Sequence, residues 1–100
     1  MDTKNKPDAG AFPHYLKEGA DGSITVTLAR GFEVAGAKVT SLKLREPSLD
    51  DQLISQKVGD NAEAEVALIA NLAEIAPDDL RSIKMRDFIR LQAALAFFYG

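Results

Sequence analysis

Few residues in this chain have the types and spacings that do chemistry. Adjacent acids occur twice, at Asp50-Asp51 and Asp78-Asp79, and a carboxylate pair is what general acid–base work or a divalent cation requires. Each pair, however, stands where the first turn of a helix is expected. Carboxylates are favoured there by the positive end of the helix dipole, so capping accounts for both pairs. His14 is the single histidine and the chain has 0 Cys, which excludes disulfides, thiolate metal sites and imidazole clusters. There is no phosphate-binding glycine loop, no His-x-x-x-His pair and no Gly-x-Ser-x-Gly elbow. No catalytic residue, cofactor or metal site is therefore expected.

The bulk properties fit a binding role better. The chain has 100 residues, one domain at most, with 46% hydrophobic and 27% charged residues, enough apolar content for a core. A core of that size leaves a thin stability margin, and such domains often lean on a partner. Net charge is −3, the wrong sign for a phosphate-backbone binder, so no nucleic acid is expected. The start, Met1-Asp2-Thr3-Lys4-Asn5-Lys6, runs into Pro7 and Gly10, not into an apolar stretch, and so does not read as a signal peptide. No apolar run approaches the ~18 residues of a membrane span. A soluble, cytoplasmic protein with no membrane partner is the expectation.

The elements that must position any binding residues follow from periodicity. Residues 1–22 mix glycine, proline and charge without a period and read as a flexible arm, with Phe12, His14, Tyr15 and Leu16 as its one sticky patch. Residues 23–100 read as a single α+β domain. Ile24, Val26 and Leu28 alternate with Ser23, Thr25 and Thr27, the pattern of a half-buried strand. Phe32–Val34 is a second extended piece and Gly36 marks a tight turn. Lys38–Arg45 is a longer strand in which Val39 is out of phase with Leu42 and Leu44, so a bulge is expected near Thr40-Ser41. The predicted product is a small antiparallel hairpin or sheet.

Three to four helices follow. Pro47 ends the strands, and Ser48 with Asp51 makes a capping box. Leu49, Leu53, Ile54 and Val58 fall at helical spacing behind it, up to Gly59. Asp60 and Glu63 cap a second helix carrying Leu68, Ile69, Leu72 and Ile75 on one stripe. Pro77 breaks it and opens a short piece with Leu80 and Ile83 inward. The last helix spans about Lys84 to Tyr99. Met85, Phe88, Gln92, Leu95 and Tyr99 share one side, while Arg86 and Arg90 mark the wet face. Beyond Gln92 it is apolar almost all round, which suggests that part of it meets a partner or a second copy. Phe97 is predicted to point outward and Phe98 inward. Leu42 and Leu44 should pack against Leu68 and Leu72.

The order of elements resembles the tail assembly chaperone family of Mu-like contractile-tailed bacteriophages. The shared features are Val26, Leu28, Gly36, Val39 and Leu42, then Leu44-Arg45-Glu46-Pro47 with an acid at Asp50 or Asp51. After these come Leu68-Ile69-Ala70-Asn71-Leu72, Pro77-Asp78-Asp79-Leu80, Asp87-Phe88 and Phe97-Phe98. The resemblance covers residues 24–99. The family often has a glycine just before its proline turn, where this chain has Ile75-Ala76. Ser48-Leu49 at a helix start is also similar to the modified serine of acyl carrier proteins, but Pro47 precedes it and strands precede the helix. The chaperone resemblance implies a non-enzymatic protein of a phage or prophage, acting in the bacterial host cytoplasm during virion assembly. It would bind the tape measure protein and keep it soluble while the tail forms. A longer frameshifted version of the chain, or a homo-oligomer, is a further implied partner. Phe97, Phe98, Tyr99, Arg45 and Glu46 are the expected protein-binding residues. The alternative is a small acidic adaptor or regulator of phage origin that binds some other protein.

Overall fold

A computed structural model describes residues 12–99. The fold is α+β. A three-stranded antiparallel sheet of β1 (Leu16–Glu18), β2 (Ile24–Val34) and β3 (Ala37–Leu44) runs in the order β1-β2-β3. Four helices follow: α1 (Leu49–Gln56), α2 (Asn61–Ala73), α3 (Pro77–Leu80) and α4 (Met85–Tyr99).

A short strand, β1, falls inside the segment expected as a flexible arm. Residues 1–11 lie outside the described residues, but Leu16 pairs with Val26 in β1 and is buried. Gly22 falls in the turn between β1 and β2, where its N–H donates to the Gly19 carbonyl at 3.1 Å. Three residues are too short a strand for alternation to register, and the flanking glycines and Pro13 masked it. Tyr15 is held too: the Arg90 guanidinium lies 4.4 Å from its ring centroid and donates to the Thr27 carbonyl at 2.8 Å. Arg90 is thus half-buried, not on a wet face.

The two extended pieces expected at Ile24–Leu28 and Phe32–Val34 are one bulged strand. Thr27 is opposite Ser41, whereas Phe32 is opposite Val39, so Leu28 to Gly31 have no register partner on β3. The phase break was expected at Thr40-Ser41; the extra residues sit opposite it, on β2. Gly31 allows the bulge: its φ is +77°, and a Cβ there would meet the Val39 carbonyl oxygen at 2.8 Å. The hairpin closes through Ala35 (φ 52°) and Gly36 (φ 83°), the two left-handed residues that match a tight turn to strand twist.

The core lies between one sheet face and the helices. It includes Ile24, Val26, Leu42 and Leu44 from the sheet, Leu68, Ile69 and Leu72 from α2, Leu80 from α3, and Leu91, Ala94 and Leu95 from α4. Leu42, Leu44, Leu68 and Leu72 share this core as expected, and the Arg45 N–H donates to the Leu72 carbonyl at 3.1 Å, tying the end of β3 to α2. The buried stripe of α4 is Asp87, Leu91, Ala94 and Leu95. Met85 and Ile89 point to solvent instead. The rotation follows from Asp87, which must reach the sheet.

Candidate protein-binding surface

The surface that separates this domain from an ordinary one is α1, whose polar side is buried and whose apolar side is wet. Asp51 and Ser55 are its buried residues. Leu49 is 74% exposed, Leu53 and Ile54 51% each, and Val58, just beyond the helix, 56%. The stripe that sequence spacing marks out is therefore present, but it faces away from the core.

The cause is the chemistry around Asp51. Its carboxylate accepts both arms of the Arg45 guanidinium, at 2.8 and 2.9 Å. It also accepts from the Ser48 backbone N–H at 2.8 Å and from the Asn71 side-chain amide at 2.9 Å. The Ser48 hydroxyl donates to it at 3.1 Å and in turn accepts the Asp51 N–H at 3.2 Å, which completes the capping box. The Arg45 guanidinium, then the Ser48 N–H, hold the Asp51 carboxyl well below the usual carboxylate range, and the Arg45 pKa is raised in return. A charge this well partnered sits inside without leaving a lone pair unmet. Ser55 sits one turn on and faces the same way, so the aliphatic residues are left outside. The Arg-Glu-Pro element is thus an anchor: Arg45 fixes α1, Pro47 turns the chain, and Glu46 remains exposed.

The second fixed point is Asp87. Its side chain is fully buried and accepts three consecutive backbone N–H groups of the β2 bulge: Ala29 at 2.6 Å, Arg30 at 2.9 Å and Gly31 at 2.9 Å. Burial by itself raises the pKa of this carboxyl, but the three donors outweigh it and hold the group below its ordinary value. The Asp-aromatic pair is therefore a clamp that docks α4 on the sheet. Its signal lay in the sequence as an acid in phase with Leu91 and Leu95.

The residues expected at the partner surface divide accordingly. Tyr99 is 60% exposed, and its hydroxyl donates to the Gln52 side-chain carbonyl at 2.8 Å. It shares an open groove with Pro47, Ser48, Leu49 and Gln52, so the end of α4 and the start of α1 form one surface. Phe97 is not free: it is half-buried on the core, with the Phe12 ring centroid 4.3 Å away. Phe98 is also half-buried on the core. What the sequence reading missed is the outward direction of α1. Its signal was an acid at the third helical position with an arginine six residues earlier.

The acid pairs are in the first turns of α1 and α3. Among the described residues no group of three or more His, Cys, Asp or Glu side chains is placed to hold a metal ion. No helix among them is long and apolar enough to cross a membrane.

No curated protein and no solved structure matches the chain. A family model does, over residues 25–100: it is described as phage tail assembly chaperone proteins, E, or 41 or 14. The match contains most of β2, all of β3 and the four helices, while Phe12 and β1 precede it. With three-quarters of its length matched, on a fold whose anchors are the Arg45–Asp51 pair and the Asp87 clamp, the chain belongs to the phage tail assembly chaperone family.

Proposed function

We propose that this protein acts in the host cytoplasm by binding the phage tail tape measure protein, without catalysis, and keeps it soluble during tail assembly. The observation that carries the reading is the outward apolar face of α1. A small domain has little reason to expose Leu49, Leu53, Ile54 and Val58 together unless another chain covers them. An amphipathic client helix laid on α1 would bury these residues against its own apolar stripe. Tyr99 extends the surface across the groove from Leu49, while Phe97 and Phe98 are half-buried on the core. Arg45 serves the contact indirectly, by holding α1 in place, and Glu46 lies exposed beside it. A net charge of −3 keeps the chaperone soluble while it carries an apolar load.

The test is expression of the natural tape measure protein with and without this chain. The client should move from the pellet to the soluble fraction and co-purify with the chaperone. A client that is equally insoluble with the chaperone present sinks the proposal and favours the adaptor reading.

A further inference from the structure

Charge is divided along this chain. Residues 46–80 hold nine acids and a single cation, Lys57, whereas residues 81–99 hold four cations and a single acid, Asp87, which is buried. The acidic stretch builds α1, α2 and α3, and the basic stretch leads into α4. Two of the four cations are engaged: Arg81 pairs with Glu63 and Asp78, and Arg90 bonds to the Thr27 carbonyl over the Tyr15 ring. Lys84 and Arg86 are exposed and belong to no ion pair among the described residues. Arg30 joins them from the β2 bulge. It is exposed and likewise outside those pairs, and its N–H donates to Asp87 at 2.9 Å, which sets it beside the first turn of α4. The acid nearest to it in sequence, Glu33, stands opposite Lys38. Beside these cations α4 exposes two large apolar side chains, Met85 at 66% and Ile89 at 54%. They are one turn apart, ~6 Å along the axis and within about 40° around it, and Arg86 follows about 60° further round. Ala96, also exposed, continues the track two turns on from Ile89. On the side away from Arg86 the patch ends at Gln92, whose amide donates to Glu65 at 2.8 Å.

We infer that this face of α4 docks an acidic amphipathic helix of a partner protein, at a site separate from α1. Met85, Ile89 and Ala96 follow one another at four and seven residues, the spacing along which a second helix packs its own apolar stripe. Carboxylates flanking that stripe would meet Arg86 on α4 and Arg30 on the bulge. Charge complementarity selects the partner's sign and its place of approach. A basic helix is repelled here, and an acidic one is repelled from the acid-rich α1–α3 part and drawn to this end of the molecule. The apolar pair selects the class. A nucleic acid needs cations where Met85 and Ile89 stand. A membrane surface needs a long apolar face, whereas α4 already spends one face on the core and has 15 residues in all. From Ile89 to Tyr99, where α4 reaches the α1 surface, is ten residues or ~15 Å. Two partners can therefore be held at once, an apolar one on α1 and an acidic one here. The inference uses none of the residues of the client reading and stands without it.

The probe is a synthetic helical peptide with leucines along one stripe and glutamates on both flanks, titrated into the isotope-labelled full chain and read by amide chemical shifts. Two comparison peptides carry lysines in place of the glutamates, or serines in place of the leucines. The acidic amphipathic peptide should shift the amides of Arg30, Met85, Arg86 and Ile89 and leave 49–58 unmoved. Raising salt from ~0.05 M to ~0.5 M should weaken it several-fold. Arg86→Glu and Ile89→Ser, both at exposed positions whose spectra report the fold, should each raise the dissociation constant about tenfold. Arg86→Glu should also turn the preference towards the lysine peptide, which loss of fold would not do. A lysine peptide that binds wild type as tightly as the glutamate peptide overturns the inference, as does a shift map centred on 49–58. If the serine peptide binds as tightly as the leucine one, the apolar half of the site is refuted. Tighter binding of an RNA homopolymer or of phosphatidylglycerol vesicles at the same residues overturns the protein partner in favour of a phosphate surface. No tape measure protein is present in the experiment, so its outcome is independent of the client reading.

Discussion

The anchor beneath α1 makes the sharpest stability prediction. Consider Asp51→Asn. Both carboxylate oxygens receive only donors: Oδ1 from Arg45 and Asn71, Oδ2 from Arg45 and Ser48. An asparagine must present its NH2 group at one of them, so a donor faces a donor whichever way the amide is turned. The Arg45 side chain is 42% exposed, so the lost ion pair is discounted for solvent and contributes about 1 kcal/mol. The damaged capping box costs about another 1 kcal/mol, and the misplaced amide about 1 more. The sum, about 2–3 kcal/mol, is a large share of a small domain's stability. Urea unfolding followed by circular dichroism reads it as a lower midpoint at constant slope. Amide exchange within 49–56 should rise before that of α2, because α1 loses its tether first. The neighbour Asp50→Asn is the control: Asp50 is exposed and should change stability by less than ~0.5 kcal/mol. An Asp51→Asn midpoint equal to wild type would refute the reasoning, since α1 would then be held by something other than this carboxylate.

Other expectations follow from the same geometry. Leu44 is fully buried, so Leu44→Ala should cost roughly 2–5 kcal/mol; an unchanged denaturant midpoint would remove it from the core. Glu74 holds a left-handed conformation (φ 61°) at the end of α2. Glu74→Gly should therefore raise stability by about 1 kcal/mol, seen as a higher melting temperature; a fall would show the side chain to be needed. Acid should weaken the fold. Asp51 and Asp87 are held below the ordinary carboxylate range, and Asp21 is lowered to about 2, first by the Ser23 hydroxyl. A lowered folded-state pKa stabilises above the unfolded value of about 4 and is lost as pH falls through the folded one. The urea midpoint should thus drop from about pH 5 towards pH 2; a flat profile would contradict the assignment.

Much of this fold is legible in the sequence because its signals are local. The alternation at Ile24, Val26 and Leu28, the capping box at Ser48 and the proline at Pro77 each place an element without reference to distant residues. What stayed hidden depends on contacts between residues far apart in the chain. The spacing of Leu49, Leu53 and Ile54 marks a face but not its direction; Arg45 and Asn71 decide that by claiming Asp51 on the opposite side. The rotation of α4 is likewise set by Asp87 reaching the bulge 56 residues away. Phe97 read as an outward contact because the Phe12 ring that packs on it lies in a segment with no period of its own. The sequence points to the C-terminal aromatics as the contact; in the folded molecule the exposed large apolar side chains include Leu49, Leu53, Ile54 and Val58 of α1 and its end, together with Tyr99.

The proposed role of α1 can be tested in the client itself. Leu53 and Ile54 are each half exposed, so a double Leu53→Ser, Ile54→Ser variant should stay folded, with a stability loss of roughly 1 kcal/mol. The tape measure protein is co-expressed with wild type and with this variant, and the soluble client is quantified against equal amounts of chaperone. Wild type should give a soluble complex, and the variant should leave the client in the pellet. A folded variant that keeps the client soluble as well as wild type does would show that α1 is not the surface that holds it.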